Sequence, residues 1–276
     1  MLSFEGVNVR QLDLARLVVE ELLELGDLEP ADIMIVGASC RDILHAGLGH
    51  GFPLRATTDV DVAIALPAWA PFDNLVKRLR PVGDNGIRYL VREIAVDLVP
   101  FGEVEDPVGS VLPVRRDESM DVFAFNEVFG GSLVLPLGPD LEVRLPDPAG
   151  YCALKLSAWA NRCLDNEFRD GADIATVAYW YAGWAEVEER LYDTDEGNAI
   201  LLAAEVDRLL ASAELLGRDI ARLIGSERTR ELKCRWTALV RNRLVGEFGH
   251  DTIPSWTADL LRREAVIESL CSGLWG

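Results

Sequence analysis

Three aspartates in two short stretches have the type and spacing to hold metal ions. The stretch Thr57-Thr58-Asp59-Val60-Asp61-Val62 sets two acids two residues apart at the head of the apolar run Val60–Leu66. On a strand such a pair projects from one face, about 7 Å apart. The stretch Ile94-Ala95-Val96-Asp97-Leu98-Val99 puts an acid inside an apolar run, where a charge without a partner is costly. Converging carboxylates repel one another, and hard oxygen donors suit Mg²⁺, so the three together predict a site for two divalent cations. Two ions held in this way support in-line displacement at phosphorus, the chemistry of nucleotidyl transfer. Asp-x-Asp alone carries little weight in a chain with 46 acidic residues, because a solvated strand end explains it as well.

A second feature precedes these acids by about twenty residues. Ile33–Val36 reads as a short buried strand, Gly37 permits a tight turn, and a helix begins near Arg41. A strand, a glycine and a helix start present free backbone N–H groups to a phosphate. Ser39 adds a hydroxyl donor, and Arg41 can support either the loop or a carboxylate. Alone, the pattern also describes an ordinary turn with a structural arginine.

The surrounding elements are those needed to position such residues. Residues 8–25 read as an amphipathic helix with Leu12, Leu14, Leu17, Val18, Leu22 and Leu25 on its apolar face. Val60–Leu66 is a strand closed by Pro67, residues 72–79 a helix, and residues 87–91 and 94–99 paired strands. Residues 102–118 read as a loop, followed by strands at 132–135 and 141–145. Pro146-Asp147-Pro148 then opens a helix that carries Lys155. Beyond it the chain reads as helices over 151–164, 169–184, 186–192, 198–215, 217–224, 227–246 and 256–271. The prediction is an α+β domain over 1–147 and an α-helical domain over 148–276, with the site between them.

The order Gly-x-x-x-Arg, Thr-x-Asp-x-Asp, then apolar-Asp-apolar resembles the DNA polymerase β-like nucleotidyltransferase superfamily. Within it the chain is most similar to the AbiEii toxins of abortive-infection systems and the related MenT toxins. Lys155-Leu156-Ser157-Ala158-Trp159-Ala160-Asn161-Arg162 fits the later lysine motif of that family, and Arg169-Asp170-Gly171-Ala172-Asp173-Ile174 its last motif. The resemblance spans roughly residues 30–180. It departs at the first motif, where the family usually has Gly-Ser and this chain has Gly37-Ala38, with Ser39 one place later.

The resemblance implies a polymerase β-like domain with a mixed sheet and flanking helices. It implies that Asp59, Asp61 and Asp97 hold Mg²⁺, two ions in all. Gly37, Ser39, Arg41, Thr57 and Lys155 would contact an NTP, and Lys155 and Asp173 would join the catalytic set. Without it, Lys155 reads equally well as a surface lysine and Asp173 as the i+4 ion-pair partner of Arg169. It further implies transfer of NMP to a tRNA 3′ end by the toxin of a toxin–antitoxin pair, with a cognate antitoxin protein as partner.

Composition bounds these readings. Net charge is −19, which disfavours indiscriminate nucleic-acid binding. Residues 184–214 hold nine acids and two arginines, whereas residues 217–243 hold eight basic residues against three acids. The basic stretch, with Arg218, Arg222, Arg228, Arg230, Lys233 and Arg235, is the expected tRNA contact, with Trp236 available to stack on a base. A solvated helix face that balances nearby acids explains the same pattern. No run of about 18 uncharged apolar residues is present, so no membrane span is predicted. The N-terminus lacks a signal-peptide layout, and five scattered cysteines form no CxxC, so a cytoplasmic protein with reduced thiols is expected. Three other functions fit parts of the pattern. An aminoglycoside-type antibiotic nucleotidyltransferase suits the acidic surface, and a CCA-adding or poly(A) polymerase relative suits Arg41-Asp42. A binding protein that has lost turnover keeps only the fold.

Overall fold

The structure, a computed structural model, describes residues 2–4, 7, 9–56, 59–249, 253 and 256–276. It is α+β, and the chain divides into two compact units. One comprises Leu2–His50 and Leu54–Asp147, the other Gly51–Pro53 and Pro148–Gly276.

The first unit is built on a mixed sheet. Among the described residues its seven strands are β1 (Ile33–Val36), β2 (Val60–Leu66), β3 (Arg80–Pro81), β4 (Arg88–Val91), β5 (Ile94–Gly102), β8 (Leu133–Gly138) and β9 (Leu141–Leu145). Their spatial order is β3-β4-β5-β2-β1-β9-β8. β2 runs parallel to β5 and antiparallel to β1, and β1 runs parallel to β9. The central strands are apolar almost throughout, as strands covered on both faces must be: all four residues of β1 and five of the seven in β2 are buried. Helix α1 (Val9–Leu25) packs against β8 and β4, α2 (Gly37–Gly47) and α3 (Trp69–Val76) against β2, and α4 (Phe125–Gly130) against β5.

Two local readings change. In α1 the buried set is Ala15, Val18, Val19 and Leu22, while Leu17 is 37% exposed. The face is rotated toward small and β-branched residues that fit close to the sheet. The stretch read as a loop holds one strand of a two-residue ribbon, β6 (Ser110–Val111), which pairs with β7 (Met120–Asp121) just beyond it, and even spacing of apolar residues could not announce so short a strand.

The second unit holds α5 (Pro148–Arg162), α6 (Arg169–Gly183), α7 (Ala185–Asp193), α8 (Asp195–Ala203), α9 (Arg208–Arg235), α10 (Ala238–Glu247) and α11 (Leu260–Trp275). The break expected near Gly217 is absent, since α9 runs through it, whereas the break expected between 224 and 227 is a kink at Gly225 with φ 76°. Gly217 is interior because α11 crosses there. A Cβ on Gly217 would lie 2.7 Å from the Leu274 nitrogen, and one on Gly273 would lie 2.8 Å from the Glu214 carbonyl carbon. Two glycines therefore let the backbones of α9 and α11 meet. All five cysteines are free thiols. No helix among the described residues is long and apolar enough to cross a membrane.

Candidate active site

The register of the sheet gathers the three acids. β2 and β5 align with Asp61 directly opposite Asp97, and Asp59 lies one residue before β2. In the antiparallel β4–β5 hairpin, Asp97 lies opposite Arg88. The Arg88 guanidinium bridges the acids: Nε donates to Asp97 Oδ1 at 2.7 Å, and Nη2 donates to Asp97 Oδ2 and to Asp59 Oδ2, both at 2.8 Å. The hydrogen bonds to Asp97 hold this guanidinium above the ordinary arginine range against the burial that pulls it down, and the charges of Asp97, Asp59 and Asp61 add to the attraction. Asn85 braces the hairpin. Its Oδ1 accepts from the backbone N–H of Ile87 at 3.1 Å and of Arg88 at 2.9 Å, and its Nδ2 donates to Asp97 at 3.4 Å.

Gly37 meets the same cluster from β1. Val36 pairs with Asp61, and α2 begins at once with Gly37 at φ 61°. A Cβ at Gly37 would fall 2.8 Å from the Asp61 Cβ, so position 37 needs glycine for both its backbone and its closeness to the acid. No side chain caps the start of α2, and Ser39 in its first turn is half-buried with no hydrogen-bond partner among the described residues. The α2 N-terminus therefore offers backbone N–H groups and one hydroxyl beside Asp61. Arg41 is turned to other work. Its side chain is 2% exposed, bound to Asp42 and, through Nη2 at 2.7 Å, to the Arg55 carbonyl, so it anchors the segment that leads back to Asp59. Thr57 lies outside the described residues.

The remaining two predicted residues meet in the helical unit. Lys155 Nζ on α5 lies 2.6 Å from Asp173 Oδ2 and 3.0 Å from Asp170 Oδ1, both on α6. Burial alone would lower the Lys155 ammonium; the charges of Asp173 and Asp170 outweigh it and hold the group above the usual lysine range. Asp170 is fully buried and also takes Arg162 at 3.3 Å. The alternative ion pair between Asp173 and Arg169 does not form, since Arg169 turns to Glu167 at 3.4 Å.

Arg88 and Asp170 are the polar partners that sequence reasoning missed. A signal for Arg88 existed: Val91 pairs with Ile94 across a turn in which Arg92 and Glu93 both take positive φ. A two-residue hairpin loop fixes the register, and that register puts Arg88 opposite Asp97. Asp170 carried no comparable mark, because one acid among several on a helix start looks solvated.

The basic stretch is largely consumed internally. Arg218 pairs with Glu214 and Glu196, Arg222 with Glu196 and Asp219, and Arg228 and Arg235 with Glu231. Arg230 and Lys233 are exposed and have no carboxylate partner among the described residues. Trp236 packs on Trp275, ring centroids 6.2 Å apart, and is half-buried rather than displayed.

As donor types, the three carboxylates suit a hard divalent ion, and here Asp59 and Asp97 share the Arg88 guanidinium with Asp61 beside Asp97 in the sheet. No group of three or more His, Cys, Asp or Glu among the described residues is arranged to hold a metal ion. No protein-family model matches the chain, and no curated protein matches it.

Proposed function

We propose that the protein is a nucleotidyltransferase of the polymerase β type, transferring NMP from an NTP to an acceptor with release of pyrophosphate. The observation that carries this reading is the meeting of Asp59, Asp61 and Asp97 beside the uncapped start of α2. Acids and a phosphate-binding helix start belong together where a metal–triphosphate binds. When bound, two Mg²⁺ ions would offset the charge of the triphosphate and make the acceptor hydroxyl more acidic. Asp59, Asp61 and Asp97 would hold them. The N–H groups that follow Gly37, and the Ser39 hydroxyl, would orient the phosphates. Lys155, kept charged by Asp173 and Asp170, is a fixed cation of the helical unit.

The acceptor proposed first is a tRNA 3′ end, which makes the protein the toxin of a toxin–antitoxin pair with a protein antitoxin. A second reading, a cationic small acceptor of the aminoglycoside class, is favoured by the pairing of Arg218, Arg222, Arg228 and Arg235 with acids and by the net charge of −19. Incubation with Mg²⁺, each α-labelled NTP in turn and total tRNA decides between them. Label on tRNA that disappears with Asp59→Ala supports the first. Pyrophosphate released only when an aminoglycoside is added supports the second. Neither signal, in a protein that binds NTP, overturns transferase activity.

A further inference from the structure

We infer that Arg88 is a displaceable counter-cation that occupies the acid cluster until a divalent metal takes its place. The inference rests on the reading of Asp59, Asp61 and Asp97 as metal-holding acids. An arginine fork that spans two of the three carboxylates uses the lone pairs a metal ion would need. It cannot leave by losing its proton, because a guanidinium stays charged throughout the accessible pH range. The oxygens are freed only if the side chain moves.

The geometry permits that movement. The Arg88 side chain is 33% exposed, whereas Asp97 is 14% exposed and is fixed by the β5 register and by Asn85. In the Arg88–Asp97 pair the acid is the fixed member, and Asp59, 31% exposed, holds only one arm of the fork. A divalent ion carries twice the charge in a smaller volume, so it is the stronger partner for carboxylates held this closely. The released fork matches a phosphate in shape as well as it matches a carboxylate. A metal–nucleotide complex therefore supplies both a replacement for Arg88 and a new anion for it. The consequence is an apo state that is electrically settled and a site that opens cooperatively to metal and triphosphate.

Mn²⁺ binding to the full chain, followed by electron paramagnetic resonance without nucleotide, tests this. Arg88→Ala is expected to bind Mn²⁺ at least tenfold more tightly than the wild type, and Arg88→Lys, which keeps charge but loses the fork, to fall between. In EDTA, Arg88→Ala is expected to melt at a lower temperature than the wild type and to recover when Mn²⁺ is added. Arg88→Lys carries the comparison if Arg88→Ala does not fold. Should Asp59→Asn weaken Mn²⁺ binding while the arginine variants leave it unchanged or weaker, the counter-cation role is overturned and the metal site stands. Should Asp59→Asn and Asp97→Asn both leave Mn²⁺ binding unchanged, the metal-site reading fails and the counter-cation role falls with it.

Discussion

At the residue scale the decisive contact is between Gly37 and Asp61. Alanine at position 37 meets two separate penalties. One is the positive φ, costing roughly 1 kcal/mol for a residue with a Cβ. The other is the clash with Asp61, typically about 1–3 kcal/mol for overpacking. Urea denaturation of Gly37→Ala is expected to show the sum, and Gly37→Ala in an Asp61→Gly background, which also removes the Cβ at position 61, only the first part. Equal losses in both backgrounds would mean the two residues do not touch. Lys155 makes a comparable case. Its removal takes the ammonium from Asp173 and leaves Asp170 with Arg162 in place of two cations, a loss of up to about 3–5 kcal/mol. Lys155→Met is therefore expected to be strongly destabilised, with part of the loss regained in Lys155→Met/Asp170→Asn; no recovery would show that Asp170 does not depend on Lys155. The Asp-x-Asp pair, Asp97 and Gly37 were legible in the sequence because an acid or glycine in an apolar run is a local anomaly. Arg88 was legible only through the register of its hairpin, and Asp170 not at all, because its burial depends on packing between two helices.

At the element scale, strands were easier to read than helix ends. The run Val60–Leu66 is continuous and apolar, and its bounds are those of β2. Glycine misled in α9, since Gly217 marks a close helix crossing and only Gly225 a kink. Alanine should cost stability at each for a different reason. At Gly217 the obstruction is backbone of α11, which cannot turn aside, so a loss of about 2–3 kcal/mol is expected. At Gly225 nothing lies within 4 Å and only the backbone conformation, φ 76° with ψ 169°, matters, so about 1–3 kcal/mol is expected. Inside an unobstructed helix glycine to alanine is stabilising, so a Gly217→Ala variant no less stable than the wild type would remove the crossing from the account. The same helix pair is joined by charge: Asp207 caps α9 through the N–H groups of Leu209 and Leu210 and binds Arg262 of α11 at 2.5 and 2.8 Å. Its hydrogen bonds to Arg262, with those from the cap, hold Asp207 below its ordinary value of 3.8 despite burial. A lowered carboxylate contributes stability that is complete above the unfolded value and lost as pH falls through the folded one. Asp207→Asn keeps the cap and loses the ion pair, so a deficit of about 1 kcal/mol is expected at neutral pH. Denaturation curves at a series of pH values should show that deficit constant down to about pH 4 and shrinking below it; a deficit that stays constant through the acid range would rule out the pair as its source.

At the scale of the whole molecule, charge that is segregated along the chain is mixed in space. The acidic stretch ends where the basic stretch begins, and α8 packs against α9, so Glu196 receives both Arg218 and Arg222 while Arg190 reaches Asp219 at 2.7 Å. Counting along the sequence therefore overstated the cationic face, since pairing between helices is invisible to it. The difference has a measurable consequence for an RNA acceptor. Each phosphate neutralised by a protein cation releases counterions and steepens the salt dependence of binding, by about 0.7 per contact for a single strand and about 0.9 for a duplex. If only Arg230 and Lys233 are available, the slope of log K against log salt should be no steeper than about −2. Arg230→Ala/Lys233→Ala should flatten it further, whereas Arg218→Ala should leave it unchanged because that side chain is already held by Glu214 and Glu196. A slope near −5 that falls on loss of Arg218 or Arg222 would mean that RNA opens these pairs, and that the six basic residues act on the acceptor as one surface.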